Sequence, residues 1–573
     1  MNKQTLHNKG YRYAAGALMW ALPLLLVVPG AVLAYTEYLY SGYDRFVNIA
    51  LPLGVYMLLA GAWKKIGITA IISFPLMVLC AFQLVLIYLY GESIIAIDMF
   101  LNVVTTNSQE VGELLGNLLP AVGMVCLLYL PPLAAGIWLT CKKAYTTRGQ
   151  RCPMLISGGI IAFAGLCGMG MAFADDSAGY APDRRLFPVN VLSNIGTAIG
   201  RTCESKRYFE TSADFRFDSH DSRADSIGSE VYVMVIGETS RGENWQLAGY
   251  GRPTNPRLSR REGIVYYPYT LSESNTTHKS VPLMMSHLSA AEFGDSINEV
   301  KGIMSAFGEA GYSTAWFSAQ RRNGAVIDAF GLEADTAVFI TDDNGMHHDM
   351  ELCGLLADFI DSHRGDKVFV TLHTYGSHFN YRERYPEEFR VFTDDDAPEA
   401  AAEYRSKLID SYDNTIVYTD AVLDSVVSVL AATGRPAAMI YAADHGEDIY
   451  DDYRGRFLHA SPTPTTRQLH VPLVVWTSEQ YSDRYPDKAS TLGVNAGRQI
   501  SSSRSMFNTM VDLAGVVTPA LDRSASLAST RYTEPARIYL NDYDEAVPLP
   551  LSGMRRIDFE IMDSLGIVAD RKQ

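Results

Sequence analysis

Hydrophobic positions follow two regimes along the chain. Up to Ala174 they form five long runs, Tyr13–Tyr35, Val47–Trp63, Ile66–Tyr90, Leu118–Thr140 and Leu155–Ala174. Each run is near the ~20 residues that carry a helix across ~30 Å of hydrocarbon. Beyond Ala174 the apolar stretches are short and change in kind. Glu230–Gly237, Ser313–Phe317, Lys367–His373, Ala437–Ala443 and His470–Trp476 read as strands, and Val300–Ala310, Met350–Ser362, Ala400–Ala432 and Met506–Ala514 read as helices. That alternation predicts a largely parallel sheet covered by helices. The expected fold class is a five-helix transmembrane domain over residues 1–174, then an α/β extracytoplasmic domain over 226–573. A polar connector, 175–225, with a short helix near Val189–Ile199, joins them.

Basic residues orient the zigzag. Lys3, Lys9, Arg12, Lys64, Lys65, Lys142, Lys143, Arg148 and Arg151 all fall on one side of a five-pass path, which makes that side, with the N-terminus, cytoplasmic. An odd number of crossings then places everything after Ala174 outside. The first run has a basic lead and a small residue at Ala34, but it is too long for a cleaved signal and four more runs follow it. The outward loop Gly91–Asn117 carries Asn102, Thr106 and Glu110 at a spacing of four, one face of a helix. That face reads either as a solvated interfacial helix or as a polar strip meeting a lipid headgroup or the outer domain.

A net charge of -16 excludes a nucleic-acid backbone as partner, and an anionic substrate would need a local cation. Of the seven cysteines only Cys203 and Cys353 lie in the outer part, allowing at most one internal bridge.

Three stretches carry candidate chemistry. The apolar run Pro436–Ala443 ends in Asp444-His445-Gly446-Glu447, placing carboxylate and imidazole at a strand's carboxyl end, where ligands bind in open α/β sheets. Alone, such a tip is equally a hydrogen-bonded turn. The run Val231–Gly237 also ends in an acid, Glu238, and two such tips in one sheet begin to define a metal site. The third stretch, Ser272 to Pro282, concentrates hydroxyls, the Asn275 amide and Lys279 just ahead of a predicted helix N-terminus, a place suited to phosphate. A hydroxyl there becomes a nucleophile if a metal lowers its pKa, and otherwise is an ordinary N-cap.

Together Gly237-Glu238-Thr239, Thr254-Asn255-Pro256, Asn275-Thr276-Thr277 with Ser280-Val281-Pro282, and Asp444-His445-Gly446-Glu447 resemble, in order and spacing, the phosphoethanolamine transferases of Gram-negative envelopes. These include lipid A modifying enzymes and mobile colistin-resistance proteins of the alkaline phosphatase and sulfatase superfamily. Gly376-Ser377-His378, Tyr412-Asp413-Asn414-Thr415 and Leu458-His459 extend the resemblance over nearly the whole chain. It implies an alkaline phosphatase/sulfatase-like outer domain and Thr277 as the nucleophile that receives phosphoethanolamine. It also implies Glu238, Thr277, Asp444 and His445 as ligands of one tightly bound Zn2+, with a second zinc during turnover in view. His378 and His459 correspond to a pair contacting phosphate or that second zinc. Thr276, Gln320, Asn102, Thr106 and Glu110 complete the candidate substrate contacts.

The chain departs from the better-known relatives in two places. No cysteine flanks the nucleophile loop near Glu273 or Leu283, and the headgroup-contacting lysine is replaced by a segment offering Gln320, Arg321, Arg322 and Gly324. The expected activity is transfer of phosphoethanolamine from phosphatidylethanolamine to lipid A or lipopolysaccharide core in the bacterial inner membrane. The competing readings are a glycerol phosphotransferase or phosphatase of the same superfamily and an envelope scaffold with an inactive domain. A sulfatase would need Cys or Ser at position 277, which is threonine.

Overall fold

The computed structural model describes residues 3–91, 94–105, 108–175, 179–223, 229–322, 324–342 and 345–569. The chain forms two compact units, one of Met1–Phe100, Asn107–Ile199 and Arg454–Arg456, the other of Leu101–Thr106, Gly200–Tyr453 and Phe457–Gln573.

The first unit is built of α1 (Lys3–Leu26), α2 (Val28–Thr36), α3 (Gly42–Ala62), α4 (Ile66–Ile72), α5 (Phe74–Tyr90), the start of α6 (Ile97–Thr105) as far as Phe100, α7 (Ser108–Cys141) and α8 (Arg148–Ala174), with α9 (Val189–Ser205) beginning in it. Four apolar stretches here, Lys9–Thr36, Gly42–Ala62, Leu119–Cys141 and Arg148–Ala174, are long enough to cross a membrane. The pair Ile66–Ile72 and Phe74–Leu89 is long and apolar enough when taken together, with a bend of 53° between them. The bend falls at Ser73, ahead of Pro75 in the first turn of α5, where proline forgoes the N–H that would continue the ladder. Helices α3 and α8 touch backbone to backbone: a Cβ on Gly54 would stand 2.3 Å from Ala162 N, so only glycine permits this approach. Asp44, fully buried at the start of α3, is paired with Arg185 at 3.1 Å, and Asn48 takes the Arg185 carbonyl and the Phe187 N–H. The side chains of Asn102 and Glu110, and Thr106 altogether, lie outside the described residues.

The second unit holds a seven-stranded sheet: β1 (Val231–Gly237), β2 (Ile264–Tyr266), β3 (Ser313–Ser318), β4 (Thr336–Phe339), β5 (Val368–His373), β6 (Ala437–Ala443) and β7 (Leu473–Thr477), in the order β2-β7-β6-β1-β5-β3-β4. The five strands from β6 to β4 run parallel, and β7 and β2 close one edge antiparallel. Side chains of β1 alternate between two cores, as a strand buried on both faces must. Val231, Val233 and Val235 join Leu352, Leu356 and Ile416 from α11 (Met350–Ser362) and α12 (Arg405–Ala432). Tyr232, Met234 and Ile236 join Met284, Met285, Met506 and Phe507 from α10 (Thr277–Met285) and α13 (Ser502–Ala514).

Helix α12 also passes the length and hydropathy test for a membrane span. It is instead a core helix of this unit. Asp420, within it and fully buried, accepts the N–H groups of Arg257 and Leu258, and Asp413 accepts the Asn244 amide. Cys203 is exposed and Cys353 buried, and both are free thiols.

Candidate active site

Strand register assembles the site. Strands β1 and β6 are neighbours, and Gly237 stands opposite Ala443, so the next residues, Glu238 and Asp444, emerge side by side at the carboxyl ends. The turn after β6 demands glycine at 446, because a Cβ there would fall 2.2 Å from the Arg467 carbonyl oxygen. Thr239, after Glu238, has φ of 55°, a left-handed conformation unusual for a β-branched residue. It is held there by its N–H to Asp444 Oδ1 at 3.0 Å and by Tyr412, whose hydroxyl donates to its carbonyl at 2.8 Å. Asp444 Oδ1 also accepts the His445 N–H at 2.7 Å, while Asp444 Oδ2 is buried and turned toward His445 Nε2.

Thr277 completes the cluster from the first residue of α10. Its Oγ1 lies 3.1 Å from His445 Nε2 and 3.3 to 3.4 Å from the Glu238 carboxylate oxygens. His445 Nε2 is 3.3 Å from Asp444 Oδ2 and 3.6 Å from Glu238 Oε1. A tetrahedral ion at ~2.0–2.1 Å from O and N ligands has ligand-to-ligand edges of about 3.3 Å, so four donors at these separations fit one such ion. Among the described residues, Glu238, Asp444 and His445 form the one acid and imidazole group that could hold a metal.

The electrostatics agree. Burial, then the neighbouring Asp444, raises the Glu238 pKa; burial pushes Asp444 up to about 7; and burial lowers His445. Two desolvated acids beside a neutral imidazole are poorly compensated by protein, and a dication at their centre reverses that penalty.

Around this centre His459 packs 4.2 Å from the His445 ring and 6.0 Å from His378, ring to ring. Burial lowers the His459 pKa and raises that of Glu447, whose Oε2 lies 3.8 Å from His459 Nδ1. Gln320 donates to Glu238 Oε2 and to the Thr374 carbonyl, both at 3.0 Å, so its amide orients a ligand candidate. Thr276 is the N-cap residue, buried, with its hydroxyl 3.1 Å from Ser274 Oγ. Lys279 is turned away, buried and bonded to Asn541 O at 2.7 Å and Asp544 at 3.2 Å. The helix starts at Thr277 rather than beyond Pro282 and carries that proline inside it.

Two participants escaped the sequence reading. Gln468, fully buried, accepts from Asn275 at 2.7 Å, donates to Asp448 at 2.9 Å and takes the Gly446 N–H on its carbonyl at 2.8 Å, tying the Thr277 loop to the β6 tip. Arg241 has a comparable place between the two tips. Neither sits in a recognisable motif, and a polar residue flanking a short apolar run is the faint signal each leaves.

Parallel strands under two layers of helices, with acids and imidazole converging on a hydroxyl, define a protein of the sulfatase type. The chain belongs to the sulfatase family, whose sequence model matches residues 230–516. Its relatives include phosphoethanolamine transferase EptA of Escherichia coli K12, 34% identical over 295 residues, which are 50% of this chain and 53% of the relative. Phosphatidylethanolamine transferase Mcr-1 of Escherichia coli is 27% identical over 274 residues, 45% of this chain and 50% of that one. The chain thus spans about half the length of the curated relatives it matches. The integral membrane lipooligosaccharide phosphoethanolamine transferase A of Neisseria meningitidis has the same fold, with a TM-score of 0.65 over 88% of this chain and 98% of that one at 21% identity. The periplasmic domain of Escherichia coli EptC, in complex with Zn, aligns with 57% of this chain at a TM-score of 0.51 and 22% identity.

Proposed function

We propose that the chain is a phosphoethanolamine transferase that moves the headgroup of phosphatidylethanolamine to lipid A or lipopolysaccharide core through a covalent intermediate on Thr277. The observation that carries this reading is the Thr277 hydroxyl, 3.1 to 3.4 Å from His445 and Glu238 at the first turn of a helix. Glu238, Asp444, His445 and the Thr277 oxygen would hold zinc, which when bound lowers the pKa of the hydroxyl and draws charge from phosphoryl oxygens. Thr277 Oγ1 attacks phosphorus and the bond to the diacylglycerol oxygen breaks. The proton that Thr277 loses balances the one diacylglycerol gains. The acceptor oxygen then attacks the same phosphorus and the threonine hydroxyl is regenerated. The N-terminal end of α10 faces the transferred phosphoryl group, and His378 and His459 contact it. Thr276 and Gln320 act by shaping the loop and holding Glu238.

In this reading residues 1–174 are the transmembrane domain, 175–225 the connector and 226–573 the catalytic domain, periplasmic, with the N-terminus cytoplasmic. The transmembrane part presents two lipids to one site, so encounter is confined to a surface. Asn102, Thr106 and Glu110 would meet the donor headgroup. Capping a lipid phosphate with ethanolamine adds an ammonium group, which weakens the attraction of cationic peptides such as polymyxins. The test is intact-protein mass after incubation with phosphatidylethanolamine and no acceptor. A gain of one phosphoethanolamine, mapped to the peptide containing Thr277, is expected; an adduct on Thr239 or Ser280 overturns the assignment of the nucleophile.

A further inference from the structure

We infer that Arg241 is a positioning residue that sets the gap between the two strand tips bearing the zinc-ligand candidates. The inference rests on the zinc reading above. Arg241 lies three residues past Glu238, yet its side chain is only 1% exposed and reaches across to the other tip. Its Nε donates to the Glu447 carbonyl at 2.6 Å, two residues past His445. Its two terminal nitrogens hold Asp451 at 3.2 and 2.6 Å, and the Asp451 side chain is itself 2% exposed. The Arg241 backbone N–H donates to the Tyr412 hydroxyl at 2.8 Å, and that hydroxyl donates in turn to the Thr239 carbonyl. One guanidinium is thereby bonded to both loops while its own backbone is fixed by the group that holds Thr239.

Such a fork is directional. A lysine keeps the charge but presents a point donor, so it cannot take the Glu447 carbonyl and both Asp451 oxygens together. If the tips drift apart, Glu238 and His445 leave the spacing that one ion requires. Partners one step removed from a metal typically change its affinity ~10–100-fold when removed. Many buried ion pairs serve the fold alone, and the experiment must separate the two roles.

The full-length chain in detergent micelles, stripped of metal, is titrated with zinc against a competing chelator and unfolded thermally in parallel. Arg241→Lys keeps a charge beside Asp451. The pair Arg241→Met with Asp451→Leu removes both charges of the fork, and because Arg405 and Arg467 also pair with Asp451 at 2.7 and 3.4 Å, Asp451→Leu alone is run beside it as the reference. Lys488→Met, which breaks a 2.6 Å pair with Asp512 outside the site, is the control. Both Arg241 variants are expected to fold and to bind zinc ~10–100-fold more weakly. The control is expected to lose thermal stability with zinc affinity unchanged. Wild-type affinity in the folded Arg241 variants overturns the inference and leaves the zinc reading standing. Loss of the fold in both variants also overturns it, because the role is then structural. A wild type that takes up no zinc overturns both.

Discussion

Asp444→Asn tests the metal centre with the least disturbance to the fold. Two backbone N–H groups converge on Asp444 Oδ1, from Thr239 at 3.0 Å and His445 at 2.7 Å, and an asparagine carbonyl can accept both. The other oxygen, Oδ2, 3.3 Å from His445 Nε2, becomes an amide NH2, a donor aimed where a cation would sit. Zinc sites with four ligands bind with ~10–16 kcal/mol, so one ligand is worth roughly 3–4 kcal/mol, or ~10²–10³-fold in affinity. At a free zinc concentration of ~100 Kd the wild-type chain gains about 2.7 kcal/mol of stability, whereas the variant gains under ~0.5 kcal/mol. The assay is unfolding of the full chain in micelles with and without zinc, with bound metal counted after dialysis against a chelator. Tryptophan fluorescence from the buried Trp245, Trp316 and Trp476 in the second unit reports whether the metal-free variant is folded. An equal zinc-induced gain in wild type and variant would refute the reasoning, as would a wild type that gains nothing.

Thr277→Ala should retain zinc through Glu238, Asp444 and His445 and lose the phosphoethanolamine adduct, and Thr277→Ser should keep part of it; both are read by metal content and intact mass. Gly446→Ala forces a methyl to 2.2 Å from a backbone oxygen, so it should lower the unfolding midpoint or the zinc content well beyond an exposed Gly493→Ala, which meets nothing within 4 Å. Asp420 is fully buried, and burial pushes its carboxyl up to about 6 from 3.8. A folded pKa above the unfolded one stabilises fully below ~pH 3.8 and loses that contribution as pH rises through 6, by roughly 3 kcal/mol at most at 1.36 kcal/mol per unit. Asp420→Asn should flatten the stability profile of the chain across that window; a variant profile parallel to wild type would contradict it.

The elements were legible because their signals are local. Runs of ~20 apolar residues with few charges mark the candidate spans, and β1 and β6 show as apolar runs because both faces of a parallel sheet are covered. The acids at the tips of β1 and β6 were visible for the same reason, as polarity breaking sharply out of an apolar run. Strands β2 (Ile264–Tyr266) and β4 (Thr336–Phe339) went unread. They are edge strands of three and four residues, too short to establish a period.

Tertiary structure decided which tips meet. Strands β1 and β6 are about 200 residues apart, and only their pairing, with Gly237 opposite Ala443, places Glu238 beside Asp444. The use of each polar side chain is likewise a three-dimensional outcome: Lys279 is adjacent in sequence to the Thr277 loop yet pairs with Asp544, while Gln320, Gln468 and Arg241 arrive from other elements to hold the centre. Helix α12 makes the same point, since its composition alone fits a membrane. Asp413 and Asp420 find amide and backbone donors only because the loops after β1 fold onto them. Sequence fixes what a side chain can donate or accept; the partner is fixed by which backbones pack together, because a buried polar group is stable only where the fold supplies its complement.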